Sequence, residues 1–176
     1  RDWLVACSGS AGSAFEGCGL EWGMNATPGA IERLWAENGQ VHYEEDIFVG
    51  YRWYEAKGIE PLFPFGHGLS YSTFEYGPLT VSDAGGGAVA VEVPVTNSGD
   101  RDGREIVQLY VARRVGGGDR PPKELRAYAA VDLAAGQTGT ARFELGGDAF
   151  TIWDITADAW VETPGEFDIL VGSSSA

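Results

Sequence analysis

Cationic residues are scarce in this chain, and so are histidine, cysteine and long apolar runs. Lys and Arg number 12 against 26 Asp and Glu, which leaves a formal net charge of −14 over 176 residues. Phosphate contacts need clustered cations, so this balance argues against nucleic acid and anionic membrane surfaces as partners. Its plain reading is solubility. No apolar stretch approaches the roughly 20 residues that span a bilayer, so no membrane partner is expected. With only His42 and His67 there is no credible Ser/His/Asp constellation. Cys7 and Cys18 allow one disulfide at most, and without further Cys or nearby His they make no zinc site. We read them as free or incidental thiols and expect no metal. Gly85-Gly86-Gly87 and Gly116-Gly117-Gly118 lead into no Gly-Lys-Ser or Gly-Lys-Thr, so no phosphate loop and no cofactor are expected. The first residue is Arg1, and no charged segment leads into an apolar one. The expectation is a fragment or processed product without a signal peptide.

What the chain does have is rings, concentrated between residues 47 and 76. Phe48, Tyr51, Trp53, Tyr54, Phe63, Phe65, Tyr71, Phe74 and Tyr76 all fall in this stretch. Aromatic side chains carry the largest burial free energies, so such a cluster should be a packing centre. Pro61, Pro64, Gly66 and Gly68 punctuate it, fixing φ at some positions and permitting positive φ at others. The natural reading is a rigid aromatic connector between two packed units. Phe48, Tyr51, Trp53, Tyr54, Phe63, Phe65 and Tyr71 are its candidate joint-packing residues.

The flanks differ in kind. Residues 1–36 are irregular: Ser8 to Ala14 is small and flexible, and Ile31, Leu34 and Trp35 have only weak helical spacing. Asn25-Ala26-Thr27 fits an N-glycosylation acceptor but is followed by Pro28, and it receives little weight. Residues 41–54, rich in β-branched and aromatic side chains, read as a strand. On a strand, Glu44, Glu45 and Asp46 point to alternate faces and converge on no ligand, so a solvated turn is the better reading there.

From Phe74 onward short strands recur at even spacing. Phe74–Val81 is the first. Val89, Val91, Val93 and Val95 alternate strictly with Ala90, Glu92 and Pro94, the period of a half-buried strand. Pro94 lacks an N–H, which places that strand at an edge or turns its proline outward. Further strands are expected at Glu105–Val111, Glu124–Leu133, Thr138–Leu145, Ala159–Glu162 and Glu166–Val171. Turn residues at Asn97–Asp100, Gly136, Gly146-Gly147 and Pro164-Gly165 separate them. About seven strands with no helical period argue an all-β, immunoglobulin or fibronectin type III-like antiparallel sandwich. An orphan strand and an irregular N-terminal segment precede it.

Several stretches carry a resemblance. Ile47-Phe48-Val49-Gly50-Tyr51-Arg52, then Pro61-Leu62-Phe63-Pro64-Phe65-Gly66, then Gly68-Leu69-Ser70-Tyr71, resemble family-3 glycoside hydrolases such as β-glucosidases and β-xylosidases. So do Gly103-x-Glu105-x-Val107-Gln108-Leu109-Tyr110-Val111, Phe150-x-x-Trp153-Asp154 and Pro164-Gly165-Glu166-Phe167. The likeness covers roughly residues 37–174. It implies the end of an α/β sandwich domain and a connector over residues 37–73, then a fibronectin type III-like domain over residues 74–176. Residues 1–36 fall outside it as an irregular or non-native segment. Asp46 stands where the family more often has Gly, which puts the turn geometry there in question. Asp2-Trp3 and Gly19-Leu20-Glu21 echo the family's nucleophile region with altered spacing, and Asp2 is not assigned a role.

Glycoside hydrolysis needs two carboxyl groups held across the scissile bond. The resemblance implies an Asp nucleophile on a barrel domain and an acid/base from the α/β domain, and neither domain is present as a whole. Glu55 and Glu60 flank a Gly58 turn and read as solvated charges. No catalytic residue is therefore expected here, and the chain should be inactive alone. The expected role is a non-catalytic module bracing the rest of a parent glycosidase, namely its barrel and α/β domains. The family's habit is extracellular or periplasmic. The alternative is a stand-alone carbohydrate-binding sandwich that takes β-glucan or oligosaccharide, with Trp153 and Trp160 as candidate stacking residues. Against it stands the expectation that isolated tryptophans in strands plug the core. His67, between Gly66 and Gly68, reads as a hydrogen-bonded loop residue.

Overall fold

Alternating valines build the sandwich. In a strand, alternate side chains share one face, and Val91, Val93 and Val95 are all buried on one side of a strand spanning Ala88–Asn97 (β3). Val107, Leu109 and Val111 do the same in Gly103–Arg113 (β4). Each such side chain contributes about 1.5–3 kcal/mol on burial. Leu133, Ala141, Phe143, Leu145 and Ala149 complete the buried core cluster.

The computed structural model describes residues 46–114 and 120–176. The chain divides into two units, Arg1–Phe63 and Pro64–Ala176. Readings that fall on residues 1–45, including Cys7, Cys18, Asp2, Asn25, His42, Glu44 and Glu45, lie outside the described residues.

In the second unit, Phe74–Tyr76 (β1) and Thr80–Gly85 (β2) pair in succession along one edge of β3. Thr138–Leu145 (β6) pairs along the other edge. Glu124–Leu133 (β5) and Phe167–Gly172 (β9) flank β4 in a second sheet. Thr151–Asp154 (β7) and Ala159–Glu162 (β8) form a separate hairpin after a short 3₁₀ turn, Gly147–Phe150. All pairings are antiparallel, as an all-β sandwich requires. Tyr76 of β1 donates to Glu105 of β4 at 2.6 Å, so a side-chain hydrogen bond spans the two sheets. Burial and that bond raise the Tyr76 hydroxyl far above the ordinary tyrosine range.

Two expectations about this unit need correction. The strand over Phe74–Val81 is interrupted at Gly77-Pro78-Leu79, giving β1 and β2. Of the two readings of Pro94, the edge fails, because β3 lies centrally between β1/β2 and β6. The outward-turned proline holds, because Pro94 lies on the face opposite the buried Val93 and Val95. Its missing N–H is accommodated by that same interruption. Pro94 falls between the β3 residues that pair with β1 and those that pair with β2, and its carbonyl accepts the Gly77 N–H at 2.8 Å.

The described part of the first unit also departs from expectation. Tyr51–Lys57 is an α-helix (α1), not the end of a strand over residues 41–54. Its C-terminus decides the matter physically. Gly58 adopts the left-handed conformation at φ 63°. Its N–H bonds Glu55 O, and the Ile59 N–H bonds Tyr54 O at 2.8 Å, the paired closure of a Schellman turn. Lys57 sits over the Trp53 ring, 4.8 Å from its centroid, one helical turn away. Asp46 has φ 52°, so this position takes the backbone conformation that glycine would favour.

Candidate functional site: a strapped sheet face and a tryptophan hairpin

In the first unit, Tyr51, Trp53 and Tyr54 ride on α1, Phe48 precedes it and Phe63 follows it. Tyr54 is the buried member, whereas Phe63 is exposed. Glu55 lies in the last turn of α1 and Glu60 beyond the Gly58 turn. In the second unit, Phe65 and Tyr71 sit at either end of the segment that leads into β1, and both are exposed.

That segment is fastened to the sandwich twice. At its start, Gly66 lies directly over Gln108 at φ 84°, and a Cβ there would fall 2.6 Å from Gln108 Oε1. Only glycine fits, on conformation and on space together. The backbone turns at this point through a His67 N–H to Pro64 O bond of 2.9 Å. The Phe65 carbonyl accepts the Ser175 N–H at 2.8 Å, so the C-terminal tail holds the segment. At its end, Ser72 is buried, and its hydroxyl donates to Arg101 O at 2.6 Å while Ser98 N–H donates to Thr73 O. Asn97 organises that second anchor. Its side-chain amide donates to Arg101 O and Leu133 O, and its carbonyl accepts the Gly99 N–H. Between the anchors, Leu69 and Tyr71 stand 96% and 91% exposed.

Beneath the first anchor is a polar cluster that sequence reasoning missed. Gln108 and Tyr110 point to the outer side of β4, yet they are only 5% and 2% exposed. The Tyr110 hydroxyl donates to Gln108 Oε1 at 2.5 Å, and Gln108 Nε2 donates to Ser173 O at 2.7 Å. Lys123 donates to Ser175 O at 2.5 Å and lies 5.4 Å from the Tyr110 ring centroid. The signal available in sequence was the Gln-Leu-Tyr order within a valine alternation. It places Gln108 and Tyr110 opposite the core and says nothing of what covers them.

The tryptophans correct another expectation: they do not plug the core. Trp153 and Trp160 are register partners across the β7–β8 hairpin, 47% and 65% exposed. Their rings meet edge to face at 5.8 Å and 76°, so they make no coplanar platform. The hairpin tip is pinned by Asp154, whose Oδ1 accepts the Thr156 and Ala157 N–H groups at 2.7 and 2.9 Å. Those backbone donors hold its carboxyl below the usual range.

No arrangement for acid/base chemistry emerges among the described residues. A shallow cleft of about 400 Å³ is lined by Asp102, Gly103, Arg104, Asp132, Leu133 and Ala134. Its charged members are already engaged: Arg104 grips Asp132 through Nε at 2.7 Å and Nη2 at 3.0 Å, and Asp102 Oδ1 accepts the Ala135 N–H at 3.2 Å. That bond keeps the Asp132 carboxyl low and the Arg104 guanidinium high. No group of three His, Cys, Asp or Glu residues able to hold a metal occurs among the described residues.

Residues 105–175 match the model of the fibronectin type III-like domain. The thermostable β-glucosidase B of Acetivibrio thermocellus is 45% identical over 142 residues, covering 79% of this chain and 19% of that protein. A β-glucosidase of Rhizobium radiobacter is 42% identical over 141 residues, again 79% of this chain and 17% of that protein. The GH3 β-glucosidase structure from Bifidobacterium adolescentis superposes with a TM-score of 0.77 at 37% identity, over 82% of this chain and 22% of that one. The chain belongs to the family-3 glycoside hydrolases. It corresponds to a C-terminal part of them that includes the fibronectin type III-like domain. It spans about a fifth of the length of the curated relatives it matches. Residues 1–59 match a different model, the C-terminal domain of RACo the ASKHA domain. An exo-α-(1→6)-L-arabinopyranosidase of Bifidobacterium breve is also 40% identical over 139 residues, so likeness in this part of the family accompanies more than one glycosidic specificity.

Proposed function

We propose that this chain is a non-catalytic module of a β-glucosidase-type family-3 glycoside hydrolase and braces that enzyme's catalytic domains. The observation that carries this reading is the connector. Leu69 and Tyr71 are almost fully exposed on a segment anchored at both ends, and Phe65 is exposed at its start. Apolar side chains grouped this way on an otherwise acidic, soluble chain mark a surface meant to be covered. Chemistry would come from the barrel and α/β domains of the parent enzyme, which supply the two carboxyl groups that glycoside hydrolysis needs. Incubation with a nitrophenyl β-glucoside is the test. The chain alone is expected to release no nitrophenol above the buffer blank, and turnover proportional to its concentration would overturn the reading.

A second reading rests on the hairpin. Trp153 and Trp160 expose indole surface that could stack on pyranose rings of β-glucan or an oligosaccharide. Affinity electrophoresis in soluble β-glucan separates the two readings. A brace migrates unretarded, and retardation abolished by Trp160→Ala would favour carbohydrate binding.

A further inference from the structure

Burial of Gln108 and Tyr110 on the outer side of β4 requires a cover, and the structure shows how the cover is held. The Pro64–Gly68 segment crosses over Gln108 at Gly66. The tail, in turn, takes hydrogen bonds from the sheet side, with Gln108 Nε2 donating to Ser173 O and Lys123 Nζ to Ser175 O. It then passes a bond on to the connector, Ser175 N–H to Phe65 O. The order of contacts is therefore sheet, tail, connector. Two segments from opposite ends of the unit close over one buried polar cluster.

We propose that the C-terminal tail, residues 173–176, is a latch that fixes the connector on the β5–β4–β9 sheet and so sets the pose of Leu69 and Tyr71. In the bracing reading, on which the partner's identity rests, Leu69 and Tyr71 are the groups offered to the apolar surface of the catalytic domains. The latch then makes residues 173–176 a determinant of how the module docks. The chemistry suits a device that is specific and reversible. A buried Gln satisfies both of its ends only when the Tyr110 hydroxyl and the Ser173 carbonyl are in place, and a half-satisfied buried amide is costly.

The test uses the 176-residue chain and two substitutions. Ser175→Pro removes the N–H that Phe65 O accepts, and Lys123→Met removes the ammonium that donates to Ser175 O, both outside β3 and β4. Chymotrypsin cleavage after Leu69 and Tyr71 reads local opening of the strap, while hydrogen exchange at Val107–Val111 reads the core. Loss of one net hydrogen bond shifts a local opening equilibrium by about tenfold. Cleavage at Leu69 and Tyr71 is therefore expected to accelerate about tenfold in each variant, with exchange in β4 and β3 unchanged. Unchanged cleavage would overturn the latch. So would parallel loss of protection throughout β3, β4 and β6, because the tail would then be an ordinary part of the global fold. The brace reading is tested separately by Leu69→Ser with Tyr71→Ser. That pair should leave Gln108 and the tail protected while reducing uptake of a hydrophobic dye. If dye uptake does not change, the bracing role fails while the latch stands.

Discussion

The two outer faces of the sandwich are finished in opposite ways. On the β3–β6 side, the outward positions include Glu92, Thr96, Thr138 and Arg142, which pair with one another across the strands. Arg142 pairs with Glu92 at 2.9 Å, and Thr96 bonds Thr138 at 2.8 Å. Nothing needs to cover them. On the β5–β4–β9 side, the outward positions include Ile106, Tyr128 and Leu170, all exposed, around a Gln108–Tyr110 pair that is fully sealed. The seal comes from residues remote in sequence, the connector and the C-terminal tail. A face completed by its own cross-strand pairs can be solvated as it stands. A face completed by imported segments carries an apolar rim, and that rim is where a partner would sit.

Substitutions can sharpen this contrast, and the largest effect belongs to neither face. Leu109→Ala removes a side chain buried between the sheets and should cost about 2–5 kcal/mol in urea unfolding. If it costs no more than a surface change, the core assignment fails. Next is Tyr110→Phe, which strips the donor from the buried Gln108 carbonyl and should cost about 1–3 kcal/mol. Tyr128→Phe on the same sheet, exposed, should stay within about 0.5 kcal/mol and serves as its control. Equal effects of the two tyrosine changes would erase the distinction between sealed and rim positions.

Alkaline pH probes the Tyr76–Glu105 bond, one of those that join the two sheets. The folded state holds the Tyr76 proton more tightly than the unfolded chain does, through burial and its bond to Glu105. The stability this contributes is complete below the unfolded tyrosine value of about 10 and is lost as pH rises beyond it. Thermal melts from pH 9 to 11 should show a decline that Tyr76→Phe weakens, and an identical decline in that variant would remove Tyr76 as the cause. The smallest effect is expected on the polar face. Glu92→Ala breaks an exposed ion pair and should cost about 0.2–1 kcal/mol, shrinking further in 1 M salt.

Much of the sandwich was legible because its core strands obey a strict period. Val91, Val93 and Val95 announce a buried face, and the turn residues at Asn97–Gly99 and Gly136 bound their strands. Where legibility failed, tertiary context had overridden a local signal. The rings of Tyr51, Trp53 and Tyr54 suggest a strand, but Gly58 closes a helix around them through backbone bonds that composition does not encode. Pro94 suggests an edge or an outward-turned proline, and the second holds, since a break in the neighbouring strand admits it to the middle of a sheet. Trp153 and Trp160 suggest core, because tryptophan usually packs inside, yet a two-stranded hairpin has one side left for solvent. The cover over Gln108 and Tyr110 could not be read, since both face outward in sequence and become buried only under the two ends of the unit.

The central claim is that the strapped face is built to be covered and the opposite face is not. Titration of the chain with the dye 1-anilinonaphthalene-8-sulfonate tests it most directly, comparing Leu69→Ser with Tyr71→Ser against Thr96→Ser with Thr140→Ser. The account predicts clear fluorescence with the unmodified chain, a loss of most of it in the Leu69/Tyr71 pair, and no change in the Thr96/Thr140 pair. Equal fluorescence from all three proteins would contradict it.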